Sequence, residues 1–190
     1  DEASERSWTA PATEVRLQRN KAGLTALVDG KIDMGDVNAG VNATADYDSE
    51  DGVINVMIDG ENFPVGDLLS TFYGDVAAII DAPASGHANI TFTSEGAVLS
   101  SQFNARLGEG VLRIGGVPRK VSFIEWETGF DPEANRFSID HFNFDLEGAH
   151  GSVSGDVSIS FGDDIRNPES ISFTLASDEI VVDAPDQLPA

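Results

Sequence analysis

Val98-Leu99-Ser100-Ser101-Gln102-Phe103-Asn104-Ala105-Arg106-Leu107 decides the fold class. Leu99, Phe103, Ala105 and Leu107 fall on one side of an extended chain, and Ser100, Gln102, Asn104 and Arg106 on the other. That is the period of two of a half-buried β-strand. The same alternation sets Val41, Ala43, Ala45 and Tyr47 against Asn42, Thr44, Asp46 and Asp48. It also sets Val153, Val157, Ile159 and Phe161 against Ser152, Ser154, Asp156, Ser158 and Ser160. One apolar side per strand implies a sheet covered on one side only, which is the antiparallel case.

Working outward, the punctuation is that of hairpins. Ser94-Glu95-Gly96 separates the strand ending at Thr93 from Val98 to Leu107. Asp48-Ser49-Glu50-Asp51-Gly52 links two more strands, and Asp131-Pro132-Glu133-Ala134-Asn135 reads as a longer turn, with proline supplying its fixed φ and Asn135 suited to the left-handed region. A meander of successive hairpins follows. Within Arg136 to Leu146 the alternation changes phase, from Phe137 and Ile139 to Phe142, Phe144 and Leu146, so a β-bulge near Asp140 or His141 is required to keep both sets on one face. Val53 to Ile58 is apolar at nearly every position and predicts a strand covered on both faces. Only Pro64 to Phe72 asks to be a helix: proline stands at a first helical position, and Val65, Leu68, Leu69 and Phe72 keep helical spacing.

Composition restricts the partners. Acidic residues number 33 against 11 basic ones, a net charge of -22, which repels phosphates and excludes nucleic acid as a partner. The same charge opposes close docking on an anionic bilayer, and its plainest role is solubility. Hydrophobic residues make up 41% of the chain and charged ones 23%, enough for a folded interior. There is no cysteine, so disulfides and thiolate chemistry are excluded, and no apolar run approaches the roughly 20 residues of a membrane-spanning helix. A length of 190 residues predicts one domain, 1–190, with 1–7 and 184–190 as extended ends. The first residue is Asp, not Met, and 1–7 lack the layout of a signal peptide, so the chain reads as a segment of a larger protein.

No catalytic constellation emerges. His87, His141 and His150 show no ligand spacing and read as surface or structural histidines. Asp46-Tyr47-Asp48-Ser49-Glu50-Asp51-Gly52 resembles a calcium loop, but Asp51 stands where the glycine belongs and Met57 where the bidentate carboxylate belongs, so an acidic hairpin turn is the better reading. Asp163 with Asp164, and Glu125 with Glu127, are pairs that an acidic composition produces unaided. No Gly-x-Ser-x-Gly elbow occurs, and neither Gly108-Glu109-Gly110 nor Gly115-Gly116 is followed by a helix signal that would make a phosphate cradle. The expectation is no enzyme, no cofactor, no metal and no catalytic residues.

From about Leu24 to Phe161 the order of features resembles the AsmA-like family of bacterial envelope proteins, whose longest members are related to TamB. The features are the apolar strand Val53 to Ile58 with the Pro64 to Phe72 segment after it, the step Ala84-Ser85-Gly86, and the strand Gly110-Val111-Leu112-Arg113-Ile114. They continue with Gly129-Phe130-Asp131-Pro132-Glu133-Ala134-Asn135-Arg136-Phe137-Ser138-Ile139-Asp140, then Leu146-Glu147-Gly148-Ala149 and Val153-Ser154-Gly155-Asp156-Val157. The resemblance implies a repeating β-groove, a curved antiparallel meander sheet with one short helix, whose apolar face carries phospholipid between the inner and outer membranes. It further implies a periplasmic location, an inner-membrane anchor outside this segment, flanking segments of the same chain as neighbours, and no catalytic residues. The candidate lining is Leu99, Phe103, Leu107, Phe142, Phe144, Leu146, Val157, Ile159 and Phe161. The same residues would equally form the core of a closed β-sandwich, a spacer or adhesion module, since alternation does not distinguish a face covered by lipid from one covered by a second sheet. Sheet edges cut from flanking segments predict some self-association in isolation.

Overall fold

The computed structural model describes residues 9–33, 37–66, 79–114, 116–134, 136–161 and 168–182, leaving aside the side chains of 114, 159–161 and 168–169. Twelve strands follow one another: β1 (Thr9–Arg19), β2 (Gly23–Asp33), β3 (Asn38–Asp48), β4 (Val53–Pro64), β5 (Ile80–Asp81), β6 (Pro83–Thr93), β7 (Val98–Leu107), β8 (Gly110–Ile114), β9 (Val117–Asp131), β10 (Arg136–Leu146), β11 (Ala149–Phe161) and β12 (Pro168–Val182). All belong to one sheet in the order β1-β2-β3-β4-β6-β7-β9-β10-β11-β12, with β5 and β8 off this path. Every pairing is antiparallel.

The two short strands extend their neighbours. Ala84 faces Leu107 while Asp81 faces Val111, so β5 leads into β6, and β8 prolongs β7 along the same side of β9, where Leu107 faces Ile124 and Gly110 faces Val121. Each line of the sheet therefore lies beside its neighbours in sequence, a meander from end to end. The right-handed twist of its strands makes so wide a sheet a curved one.

The turns form where local chemistry favours them. Asp48 Oδ1 accepts from the Glu50 amide at 2.8 Å, and Gly52 closes the β3–β4 turn at φ 66°. Asp131 Oδ1 accepts from the amides of Glu133 and Ala134 at 3.0 and 3.1 Å, which fixes the β9–β10 turn. Asn135 lies outside the described residues.

Strands touch extensively only where they are hydrogen-bonded neighbours, so no second sheet lies against the first among the described residues. The closed sandwich is thereby ruled out for them. The accessible surface is 13158 Å², against about 8,700 Å² for a compact monomer of 20.1 kDa. Among the described residues the buried hydrophobic ones are few, namely Ala39, Ala82, Leu107 and Val121, and no large side chain is fully buried. Val53 to Ile58 is correspondingly not covered on both sides, for Met57 stands 41% exposed on the polar face between Thr44 and Asn89. Of the expected helix, Val65 and Gly66 take helical geometry, and 67–78 lie outside the described residues.

Candidate functional site

Residues paired across an antiparallel ladder point to the same side of the sheet, so the registers assign every strand's two faces. One row runs from edge to edge as Leu17, Ala26, Ala45, Val56, Ile90, Ser101, Phe130, Phe137, Val157 and Phe173. The next runs Val15, Val28, Ala43, Ile58, Ala88, Phe103, Thr128, Ile139, Gly155 and Leu175. A third runs Thr13, Gly30, Val41, Gly60, Gly86, Ala105, Trp126, Phe142 and Val153. None of these positions is charged. The reverse side differs in kind: Glu14, Asp29, Asn42, Asp59, His87, Asn104, Glu127 and His141 form one of its rows.

Bulges keep the two faces apart where the sequence slips phase. In β10, Ile139 faces Thr128 and His141 faces Glu127, leaving Asp140 as the inserted residue, so Phe137, Ile139, Phe142, Phe144 and Leu146 share the apolar face. The bulge expected there is present. Phe130 and Phe137 stack across strands with centroids 4.5 Å apart, and Phe142 lies 6.0 Å from Phe144, the spacing at which aromatic pairs attract.

Of the candidate lining, Phe103, Leu107, Phe142, Phe144, Leu146 and Val157 come together on this face. Leu99 does not join them in register. Thr91 pairs with Ser100 and Phe92 with Val98, so Leu99 is the extra residue of a bulge, 46% exposed, and Val98 takes the place opposite Phe92. Ile159 faces Ile171 along the backbone, while the side chains of Ile159 and Phe161 lie outside the description.

Several lining residues escaped the sequence reading. Ile171, Phe173 and Leu175 on β12 alternate with Ser172 and Thr174, and Val15 and Leu17 on β1 alternate with Glu14, Arg16 and Gln18, a period-two signal that was there to be read. Trp126 sits between Glu125 and Glu127 and Ile124 between Phe123 and Glu125, and only the β7 register reveals that they face Ala105 and Leu107.

The polar face carries exposed polar side-chain pairs. His87 Nδ1 lies 2.7 Å from Asp59, Arg106 lies 2.8 Å from Glu125, and His141 lies 3.4 Å from Glu127. The Arg106 guanidinium also covers the Phe123 ring at 5.5 Å. Such solvent-exposed pairs each contribute about 1 kcal/mol or less. Asp46 accepts from Thr25 Oγ1 at 2.6 Å and Asp48 is engaged in its turn, so the acidic hairpin uses its carboxylates to hold strands together. Among the described residues no three His, Asp or Glu side chains gather as metal ligands. No helix among them is long and apolar enough to cross a membrane, which says nothing of a β-barrel.

Among the described residues, fold and faces together define a single-layer antiparallel sheet with one acidic face and one face whose central rows are uncharged, Arg19 at the β1 edge and Arg119 on β9 lying outside those rows. Comparison with protein-family models, curated proteins and solved structures gives no significant match.

Proposed function

We propose that the uncharged face holds the acyl chains of phospholipids, and that this chain is a periplasmic segment of an AsmA-like protein bridging the inner and outer membranes. The observation that supports this reading is the set of uncharged rows, two crossing the sheet from β1 to β12 and a third from β1 to β11, with no second layer over them among the described residues. Acyl chains need a surface that is continuous, apolar and free of partnered polar groups. The nine spacings of a ten-line sheet extend about 43 Å, and a chain filling half of a bilayer's hydrocarbon core is about 15 Å long. The acidic reverse face repels anionic headgroups, which favours lipid on the apolar side alone. The inner-membrane anchor and the flanking segments would lie in the rest of the parent protein.

Native mass spectrometry of the chain purified from bacteria without detergent tests the reading. Mass increments matching phospholipid, and uptake of phospholipid from added vesicles, are expected. Lipid-free protein that takes up none would sink it. The competing spacer or adhesion reading presupposes a closed sandwich, and it has no second sheet to rest on among the described residues.

A further inference from the structure

We propose, resting on the lipid reading of the uncharged face, that Arg119 binds the phosphate of a phospholipid whose acyl chains lie along the lane between β9 and β10. Register sets that lane. Nearest Arg119, Val121 faces Leu146, Ile124 faces Phe144 and Trp126 faces Phe142, and the stacked pair Phe130 and Phe137 lies at the far end. No charged residue enters it on this side. At about 3.3 Å per residue the lane runs about 26 Å, room for a chain of about 15 Å laid parallel to the strands.

Arg119 stands at the head of the lane because β9 slips phase just before it. Phe123 pairs with Asp145 and Val121 with Leu146, so Ser122 is an inserted residue, and Val121 and Arg119 share the uncharged side. Leu112 on β8 faces Arg119, and Ile80 on β5 faces Leu112. The guanidinium is thus set among apolar positions, one step beyond the last uncharged pair.

Its want of a partner points to a ligand. Acidic residues outnumber basic ones 33 to 11, and Arg16 pairs with Glu14, Arg106 with Glu125 and Arg136 with Asp156. Arg119 is exposed and forms no ion pair or side-chain hydrogen bond with a described residue; Glu147 accepts instead from the Lys120 amide at 3.3 Å. A guanidinium presents its N–H donors as a fork that matches phosphate oxygens two at a time, and apolar neighbours strengthen the pair by lowering the local dielectric. The net charge of -22 repels phosphate elsewhere, so this cation decides where a headgroup rests. Arg19, the other cation on this side, faces Leu24 from β1, across the sheet from the lane.

The test offers lipid-stripped protein mixed vesicles of phosphatidylethanolamine, phosphatidylglycerol and diacylglycerol with matched acyl chains, and counts uptake by native mass spectrometry. Wild type is expected to take phospholipid at least fivefold over diacylglycerol, Arg119→Gln to take the two alike, and Arg19→Gln to keep the wild-type preference. Trp8→Phe leaves Trp126 as the single tryptophan, so phospholipid brominated in its acyl chains is expected to quench the fluorescence at least twofold. Glycerophosphate, the headgroup without chains, is expected not to displace bound lipid; displacement would make this a site for free phosphate esters and overturn the lane. A preference undiminished in Arg119→Gln, or an unquenched Trp126 in lipid-laden protein, would remove Arg119 or the lane from the site and leave the lipid reading standing. Wild type that takes up neither lipid would overturn the lipid reading and this site with it.

Discussion

Replacing Phe103 with alanine separates a single-layer sheet from a covered core by magnitude. Phe103 sits mid-sheet between Ala88 and Thr128 and is 38% exposed. Of the roughly 200 Å² that a phenylalanine can bury, about 125 Å² is therefore out of water, worth about 3 kcal/mol at 25 cal/mol/Å². Alanine keeps about a third of that through its Cβ, so the loss is about 2 kcal/mol. No cavity penalty adds to it, because among the described residues no second layer lies over the ring to leave a void. In a closed sandwich the same change costs about 3–5 kcal/mol. Urea unfolding of lipid-stripped wild type and Phe103→Ala, followed by far-UV circular dichroism, gives the difference from the midpoints at equal slope. A loss above about 4 kcal/mol would mean that a second layer covers the face, and the single-layer argument would fail.

Three further outcomes follow from the same geometry. Phe142→Asp places a carboxylate beside Trp126 and Val153 on the uncharged face; the variant is expected to keep the wild-type circular dichroism and to lose at least tenfold in co-purifying phospholipid by native mass spectrometry, whereas Asn143→Asp on the polar face changes neither. Gly155 has φ 153° and lies against the Thr174 carbonyl, so the Cβ of Gly155→Ala collides with β12; a loss of about 2 kcal/mol or more in thermal unfolding is expected, with faster amide exchange confined to β11 and β12 as its signature. Lipid-stripped protein is expected to brighten an anilinonaphthalene sulfonate probe strongly and phospholipid to suppress that signal, so a dim probe on the stripped chain would contradict an open face.

The strands and their faces were legible because alternation is a local property. Ser100, Gln102, Asn104 and Arg106 announce their side without reference to any neighbour, and the phase change after Ile139 demanded the bulge that Asp140 supplies. Leu99 was illegible for the complementary reason. Val98 and Leu99 are both apolar, and only the lateral pairing with Phe92 decides which of them stays in register. Met57 misled in the same manner, since an apolar residue on a polar face reads as evidence of a second cover until the sheet is seen to have none. Register and layering are relations between distant segments, and hydrophobic pattern constrains them only to parity.

That parity is what makes the uncharged face informative. Three rows at about 6.8 Å spacing, across up to about 43 Å of sheet, cover a footprint of about 900 Å² that contains no charged residue. Leaving such a surface in water is costly in stability and invites aggregation, and substituting one Lys or Glu per strand would relieve both. The sequence does so freely elsewhere: with 33 acidic residues to distribute, it leaves all three rows uncharged and sets Asp29, Asp59 and Glu127 on the reverse. Rows kept uncharged against that compositional pressure are the feature on which the proposed apolar ligand rests, and among the described residues no second layer of strands covers them.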